Sequence, residues 1–448
     1  MLRRRQHVGA ENSTFDSSTR ADAASNGRID GWGESGAGRD WQATLRAVLT
    51  RAGWTEAENV ECLYYRIAED GHEARLSTIV DDLLVTEAGM RYDLTNDLLA
   101  AMREAFKVEM QSEREPTSFA GLSCAWDRER GLVTLRMRAK VEQTVNDLAP
   151  EIMDERERER LQIPRGRALD KMLGELRMAP KENRSPKMSG GQRRMRKLTG
   201  VLRWVEKLMP GMTKRVHCLS RVIACPPPEA ERAALGVMAQ VYDTRDRGIT
   251  LGRVGDGENP LQATITTSLR LDGGGAPEEL AAIADATWGD DPVYGLLITA
   301  FGGTIYHTLR SLHLLVDSST ESEAVATGKA GEALAYAREV FRGLGIDMSQ
   351  PTVVGTDNRA NQLLSSGEGA PTRMKHCIRR FKVFVQRVAS GECTLIHVPD
   401  TQNPADYLTK FVDEKKYRAS DEWATGAGKG GTRVVRPTVK RKWGDYPD

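Results

Sequence analysis

Four acidic residues stand where their chemistry has few ordinary explanations. Asp285 is set inside the apolar run LAAIADATW, Asp357 closes PTVVGTD where a helical pattern begins, and Asp406 follows VPDTQNP early in a last helix. Glu323 belongs to the long stretch STESEAVATGKAGEALAYAREVFRGLG. A carboxylate among apolar neighbours is costly unless a cation, a proton or hydrogen bonds offset its charge. One Asp at a strand end is usually a cap or turn residue. Asp, Glu, Asp and Asp on strand, helix, strand and helix suit a hard divalent cation such as Mg²⁺, which takes oxygen ligands. A second acidic feature is RLSTIVDDLLVT, where Asp81 and Asp82 interrupt an apolar run and either form an ordinary hairpin turn or hold a cation.

The choice of Glu323 over Glu321 rests on helical periodicity. The face through Glu323 continues as Ala326, Ala330, Leu334, Ala337 and Phe341, whereas the face through Glu321 runs toward Gly328, Glu332 and Glu339. The expectation is therefore Glu323 toward the sheet and Glu321 toward water.

The elements that must position these groups can be read in outline. Residues 1–40 are polar and nearly free of aliphatic side chains, and read as disordered. Residues 41–150 alternate a helix, strand-like runs around the turn EDGHE, a second helix and a hairpin at DRERG, an α+β pattern. Residues 151–192, with DERERERLQ, read as a charged helical linker, and 193–271 as a helical region. After DGGGAPEE, residues 272–415 give three consecutive strands, a long helix, then strands alternating with helices. That order predicts a mixed sheet with helices on both faces. Residues 416–448 read as a basic flexible tail.

Composition excludes several classes. Lys and Arg total 64 against 63 for Asp and Glu, so net charge alone points to no polyanionic partner. Cys62, Cys124, Cys218, Cys225, Cys377 and Cys393 form no Cys-x-x-Cys or Cys/His cluster, which predicts a reducing compartment and no zinc site. No apolar run approaches the ~18 residues of a membrane span, and MLRRRQHVG lacks the apolar region of a secretory signal. The expected location is cytoplasmic or nuclear.

The motifs, taken in order, resemble the Pol polyprotein of copia-type long-terminal-repeat retrotransposons over roughly residues 31–415. IADATWGDD is similar to the family's Ser-Asp-Ala-Asp-Trp, DSSTESEAVA to Ser-Ser-Thr-Glu-Ala-Glu-Tyr, and GTDNRANQLL to Cys-Asp-Asn. RMKHCIRRF resembles Thr-Lys-His-Ile, and VPDTQNPADYLTKFV resembles Val-Pro-(loop)-Ala-Asp-x-Leu-Thr-Lys. IVDDLLV looks like the polymerase's Tyr-Val-Asp-Asp-Leu-Leu turn, with Ile79 at the aromatic position, and FAGLSCAWDRERG like the Leu-Gly-Ile hairpin of its palm. The resemblance implies a partial reverse-transcriptase palm, a helical connection and a ribonuclease H-like domain. It makes Asp285, Glu323, Asp357 and Asp406 the metal-holding catalytic residues, and Asp81 and Asp82 a polymerase remnant. It further implies two Mg²⁺ ions, with Mn²⁺ as a substitute, and an RNA–DNA hybrid as partner.

Departures from the family pattern qualify the expectation. The polymerase needs a carboxylate from an earlier strand; WGESGAGRDW already resembles the segment after the fingers, and Asp16, Asp22 and Asp30 lie in polar sequence. The polymerase part is therefore expected to be truncated and inactive. Thr287 replaces the second Asp of Asp-Ala-Asp-Trp, and no His precedes Asp406 in its loop. His376, matching Lys-His, reads as a nucleic-acid contact or a structural histidine, and His397 as structural. Arg193, Arg194, Arg196 and Lys197 are candidates for tracking a nucleic-acid backbone. The leading expectation is metal-dependent cleavage of the RNA strand of a hybrid; the rival is a catalytically idle nucleic-acid-binding remnant. The sequence says nothing of oligomeric state.

Overall fold

The computed structural model describes residues 2–4, 37–88, 92–107, 110–127, 131–178, 188–252, 280–312, 316–366 and 378–426. The chain divides into two compact units, residues 1–120 with 336–348, and residues 121–335 with 349–448.

In the first unit, strands β1 (Leu2–Arg4), β2 (Thr55–Glu56), β3 (Leu63–Ile67), β4 (Glu73–Ile79), β5 (Asp82–Glu87) and β6 (Met110–Ser112) form one sheet ordered β2-β3-β4-β5-β1-β6. Ala74, Leu76 and Thr78 alternate inward along β4, as a half-buried strand requires. Helices α1 (Ala37–Arg51) and α2 (Asp93–Phe106) close the core with Trp41, Leu45, Leu49, Leu98 and Met102 against Tyr64, Leu76 and Leu83. Residues 1–40, expected to be without structure, thus contribute a short strand and the start of α1; most of the remainder lies outside the described residues.

The second unit begins with the hairpin β8 (Leu122–Asp127) and β9 (Leu132–Arg136), preceded in the chain by the two-residue β7 (Ser118–Phe119) of the first unit. β9 also pairs with β10 (Ile249–Gly252). Between them run α3 (Arg138–Leu148), α4 (Glu155–Arg160), α5 (Gly166–Glu175), α6 (Gly190–Val205), α7 (Thr213–Val222) and α8 (Ala230–Asp243). Their shared core includes Val141, Ile152, Leu169, Leu173, Leu198, Leu202, Leu219, Val237 and Met238. The segment read as a charged linker therefore packs over 151–176. Ile152, Ile163, Leu169 and Leu173 turn inward, and even Arg158 is buried, with both terminal guanidinium nitrogens 2.8 Å from the Asp243 carboxylate.

The rest of this unit is built on a five-stranded sheet of β11 (Ala281–Ala286), β12 (Val293–Ala300), β13 (Gly303–Ser311), β14 (Thr352–Thr356) and β15 (Cys393–His397), ordered β13-β12-β11-β14-β15. β11, β12 and β13 are antiparallel neighbours, whereas β14 and β15 run parallel to β11. All six residues of β11 are buried, so both faces of the sheet are covered. The covering elements are α9 (Ser319–Gly343), whose residues from Tyr336 group with the first unit, then α10 (Arg359–Ser365), α11 (Ile378–Ala389), α12 (Asp406–Thr409) and α13 (Glu414–Thr425). α11 meets α9 at Gly331, where a Cβ would stand 2.7 Å from Phe384.

The tail expected from residue 416 onward is instead helical as far as Thr425. Asp413 caps α13 by accepting from Lys416 N at 3.0 Å, and Trp423 and Ala424 join Ile283, Leu297, Tyr407 and Leu408 in one apolar cluster. Residues 427–448 lie outside the described residues. Among the described residues no helix is long and apolar enough to cross a membrane.

Candidate active site

Successive side chains on a strand alternate faces, so Ile283 and Asp285 share one face of β11. The parallel register pairs Ile283 with Gly355 on β14. Continued two residues along both chains, it brings Asp357 level with Asp285. Chain order leaves β11 in one direction toward β12 and β13 and resumes on its other side with β14, making the carboxyl ends of β11 and β14 a topological switch point. Crevices at such points are where open α/β sheets bind ligands.

Asp406 reaches this place on α12. The helix can approach because Gly295 lies opposite Asp285 on β12; a Cβ there would stand 2.9 Å from Thr409 Cγ2 and 3.0 Å from Leu408 Cβ. One carboxylate oxygen from each of Asp285, Asp357 and Asp406 then falls within 4.8 Å of the others. Glu323 sits beside this trio, outside it. Its Oε1 accepts from Ala286 N at 3.1 Å, and its Oε2 is buried with no hydrogen-bond partner.

Glu321 departs from expectation. It is as buried as Glu323, and its Oε2 accepts from Asp317 N at 2.7 Å while Ser318 Oγ accepts from Glu321 N at 3.3 Å. In the first helical turn the orphan backbone N–H groups recruit a carboxylate whatever face periodicity assigns it. Glu323 nonetheless is the residue that meets β11.

Asn403, buried before α12, donates from Nδ2 to Ala284 O at 3.2 Å and to Asp357 Oδ2 at 3.3 Å, while its Oδ1 accepts from Ala405 N at 3.0 Å. It locks the loop carrying Asp406 to both acidic strands. His397 donates from Nε2 to the Asp357 carbonyl at 3.0 Å and fixes that residue's backbone. Thr287 joins its own loop, accepting from Val293 N at 3.1 Å.

Cations reach the centre from helices that follow it. Lys410 Nζ lies 2.8 Å from Asp406 Oδ1 and 3.2 Å from Asp285 Oδ1. Lys416 on α13 contacts the other oxygen of Asp406 and donates to Asp400 O at 2.8 Å. Sequence reasoning assigned neither lysine a role. The spacing of Asp406 and Lys410, one helical turn, was the available signal. Two ammonium groups do not balance four carboxylates. Burial, and after it the charges of neighbouring acids, raise Asp285 to about 7 and Glu323 to about 9, and burial raises Asp357. Burial opposes the charge of Lys410, but Asp285 and Asp406 outweigh it and raise its pKa. A concentration of buried carboxylate oxygens, one of them without a partner, fits the donor set that a hard divalent cation takes.

The other predicted residues stand elsewhere. Asp81 lies in the two-residue turn between β4 and β5 and Asp82 opens β5, opposite Ile79. Val80, in that turn, has φ +55°. Its carbonyl accepts from Trp41 Nε1 at 2.5 Å, and Asp82 Oδ2 accepts from Ala120 N at 2.9 Å. The pair is therefore met in part by backbone donors. Arg194 is structural: Nε donates to Leu148 O at 2.6 Å, and the guanidinium pairs with Glu151 and Glu231. Arg193 and Arg196 turn to Met188, and Lys197 is exposed. His376 lies outside the described residues.

The strand order and the carboxylates at its switch point define a ribonuclease H-like fold. The chain is similar to copia-type retrovirus-related Pol polyproteins. It is 26% identical over 220 residues to that of transposon RE2 of Arabidopsis thaliana, a match covering 48% of this chain and 14% of the polyprotein. It is 24% identical over 228 residues to that of transposon RE1 of the same plant, covering 50% and 14%. The chain thus spans about one-seventh of the length of these curated relatives. Among solved structures, LC11-RNase H1 in complex with RNA/DNA hybrid superposes with a TM-score of 0.24 and 17% identity, covering 29% of this chain and 92% of that one. No protein-family model matches the chain.

Proposed function

We propose that the second unit is a metal-dependent endonuclease that cuts the RNA strand of RNA–DNA hybrids, and that the chain is a retroelement Pol fragment without polymerase activity. The observation that carries this reading is the trio Asp285, Asp357 and Asp406 at the switch point, with the partnerless Oε2 of Glu323 beside it. Those four residues would hold two divalent ions, Mg²⁺ by preference. Bound there, such ions supply an activated water and charge neutralisation at the leaving oxygen. The chain's own part is positional. Asn403 and His397 hold Asp357 in place from side chain and backbone, Gly295 admits α12, and Lys410 balances charge between Asp285 and Asp406. Choice of hybrid would rest on groove shape and 2′-hydroxyl contacts, not on base reading.

Among the described residues the polymerase reading lacks a third acid. Among the described residues, Asp81 and Asp82 belong to no trio of carboxylate, His or Cys side chains close enough to share an ion. Primer extension should be absent with Mg²⁺ or Mn²⁺; incorporation abolished by Asp82→Asn would overturn this.

The test of nuclease function is cleavage of a labelled hybrid with Mg²⁺ by wild type and Asp357→Asn. The variant should remain folded and lose several orders of magnitude in rate. The idle-remnant reading draws on the seating of Lys410 and Lys416 against the carboxylates. It prevails if wild type binds hybrid, does not cut it, and Mg²⁺ leaves both proteins unchanged in stability.

A further inference from the structure

We propose that the face of α7 carrying Lys214 and Arg221, extended by Arg177, is the track on which a nucleic-acid backbone lies as it approaches the carboxylate centre. This rests on the hybrid-cleavage reading and deepens it by naming where the strand runs.

α7 has two unlike sides. Arg215, Val216, Leu219 and Val222 turn into the helical core, and Arg215 is held there by Asp170 at 2.9 Å. Lys214, His217 and Arg221, spaced by three and four residues, share another side. Lys214 Nζ stands 5.9 Å from the centroid of the Phe411 ring. Phe411 follows Lys410 directly, so the basic side meets the carboxylate centre one residue from a group that touches Asp285 and Asp406. At the other end, Arg221 Nη2 lies 2.7 Å from Asp291 Oδ2, and Arg177 Nη2 lies 4.0 Å from the same oxygen. Asp291 belongs to the loop that follows β11, the strand carrying Asp285.

Arg177 and Arg221 share the carboxylate of Asp291, and Lys214 stands with them, its pKa lowered chiefly by burial, so the basic groups outnumber the acid they pair with. The local potential acts on His217. Burial first, then Lys214 and Arg221, lower its pKa to about 4, so the imidazole is neutral at pH 7. Phe411 is partly exposed and presents ring surface beside Lys214. The basic run of α6 offers less: Arg194 is held by Leu148, Glu151 and Glu231.

The test is the salt dependence of binding. An RNA–DNA hybrid of about two helical turns is titrated with full-length wild type in EDTA, by fluorescence anisotropy, across a fourfold rise in NaCl. Each phosphate contact contributes roughly 0.9 to the log–log slope. Wild type should therefore lose about twelvefold more affinity over that range than the double variant Lys214→Gln, Arg221→Gln. Arg177→Gln, at a well-exposed position, should lower the slope by about half as much, which guards against a misfolded double variant. Asp291→Asn should strengthen binding at low salt, an effect a purely structural ion pair would not produce. Equal slopes for wild type, the double variant and Arg177→Gln overturn the proposal, as does a drop produced only by Arg193→Gln, Arg196→Gln and Lys197→Gln together on α6. If wild type binds no hybrid at all, the hybrid-cleavage reading fails with it. If wild type binds and cuts but the slopes are equal, only the α7 track fails.

Discussion

Glu323→Gln should stabilise the metal-free protein at neutral pH while removing a residue of the proposed centre. Glu323 is buried, its ordinary value of 4.5 raised to about 9 chiefly by burial and then by Asp285 and Asp357. Because the folded value lies above the unfolded one, the protonated acid is favoured in the fold. The stability tied to it is fully present below about pH 4.5 and is lost as pH rises toward about 9. At pH 7 the loss amounts to 2.5 pH units at 1.36 kcal/mol each, about 3 kcal/mol. Glutamine never ionises, and its carbonyl can still accept from Ala286 N. Its NH₂ replaces an oxygen that has no partner in the parent. The variant should gain roughly 1–3 kcal/mol at pH 7 and little at pH 5. Urea unfolding of both proteins in EDTA at pH 5, 6, 7 and 8 measures the difference directly. Added Mg²⁺ should shrink or reverse it, since ligand binding stabilises the parent by mass action. A variant no more stable at pH 8 than at pH 5, relative to the parent, would refute the claim that a buried carboxylate is held there at a cost.

Lys410→Met should lower the melting temperature of the metal-free protein and tighten Mg²⁺ binding by roughly tenfold, read by calorimetry, because one competing charge leaves the partly exposed edge of the centre. Unchanged affinity would mean that Lys410 is a bystander. Trp423→Ala should destabilise the second unit by about 3–5 kcal/mol and slow hybrid cleavage, since Trp423 anchors the helix that carries Lys416. A variant that melts normally would detach α13 from the core.

Much of the fold was legible because its signals are local. Three apolar strands in succession, a long helix and alternating elements were enough to expect a mixed sheet, and that sheet is present with β14 and β15 parallel to β11. Asp285, Asp357 and Asp406 stood out as acids at element boundaries. What could not be read depends on groups distant in sequence. Lys410 meets Asp285 across 125 residues, and no periodicity announces such a contact. α13 looked like tail because EKKYRASDEW is charged; its inward residues include Ser420 and Asp421, which patterning counts as polar. Residues 151–176 misled in the same way, since Arg158 is buried only because Asp243 arrives from α8. Glu321 failed for another reason: a helix's first turn is governed by its unsatisfied N–H groups, which periodicity ignores.

The seating of Gly211 has a consequence for how the molecule comes into being. A Cβ at Gly211, just before α7, would stand 2.5 Å from the Tyr417 hydroxyl and 2.7 Å from Asp421 Oδ1. Asp421 in turn lies 3.5 Å from Arg247, and Arg215 stacks 5.2 Å from the Tyr417 ring. The helical region of 138–243 and the sheet that follows it are therefore sealed together by α13, which is synthesised after both. Until α13 emerges, Asp406 has no Lys416 and Gly211 has nothing to receive. The meander β11–β13 can form from near neighbours, but the carboxylate centre closes by contacts of high sequence separation, the slow class of folding event. A ribosome-bound chain that has passed Thr409 but not Thr425 would carry the acids without their full frame, so the carboxylate centre is completed late, at one step.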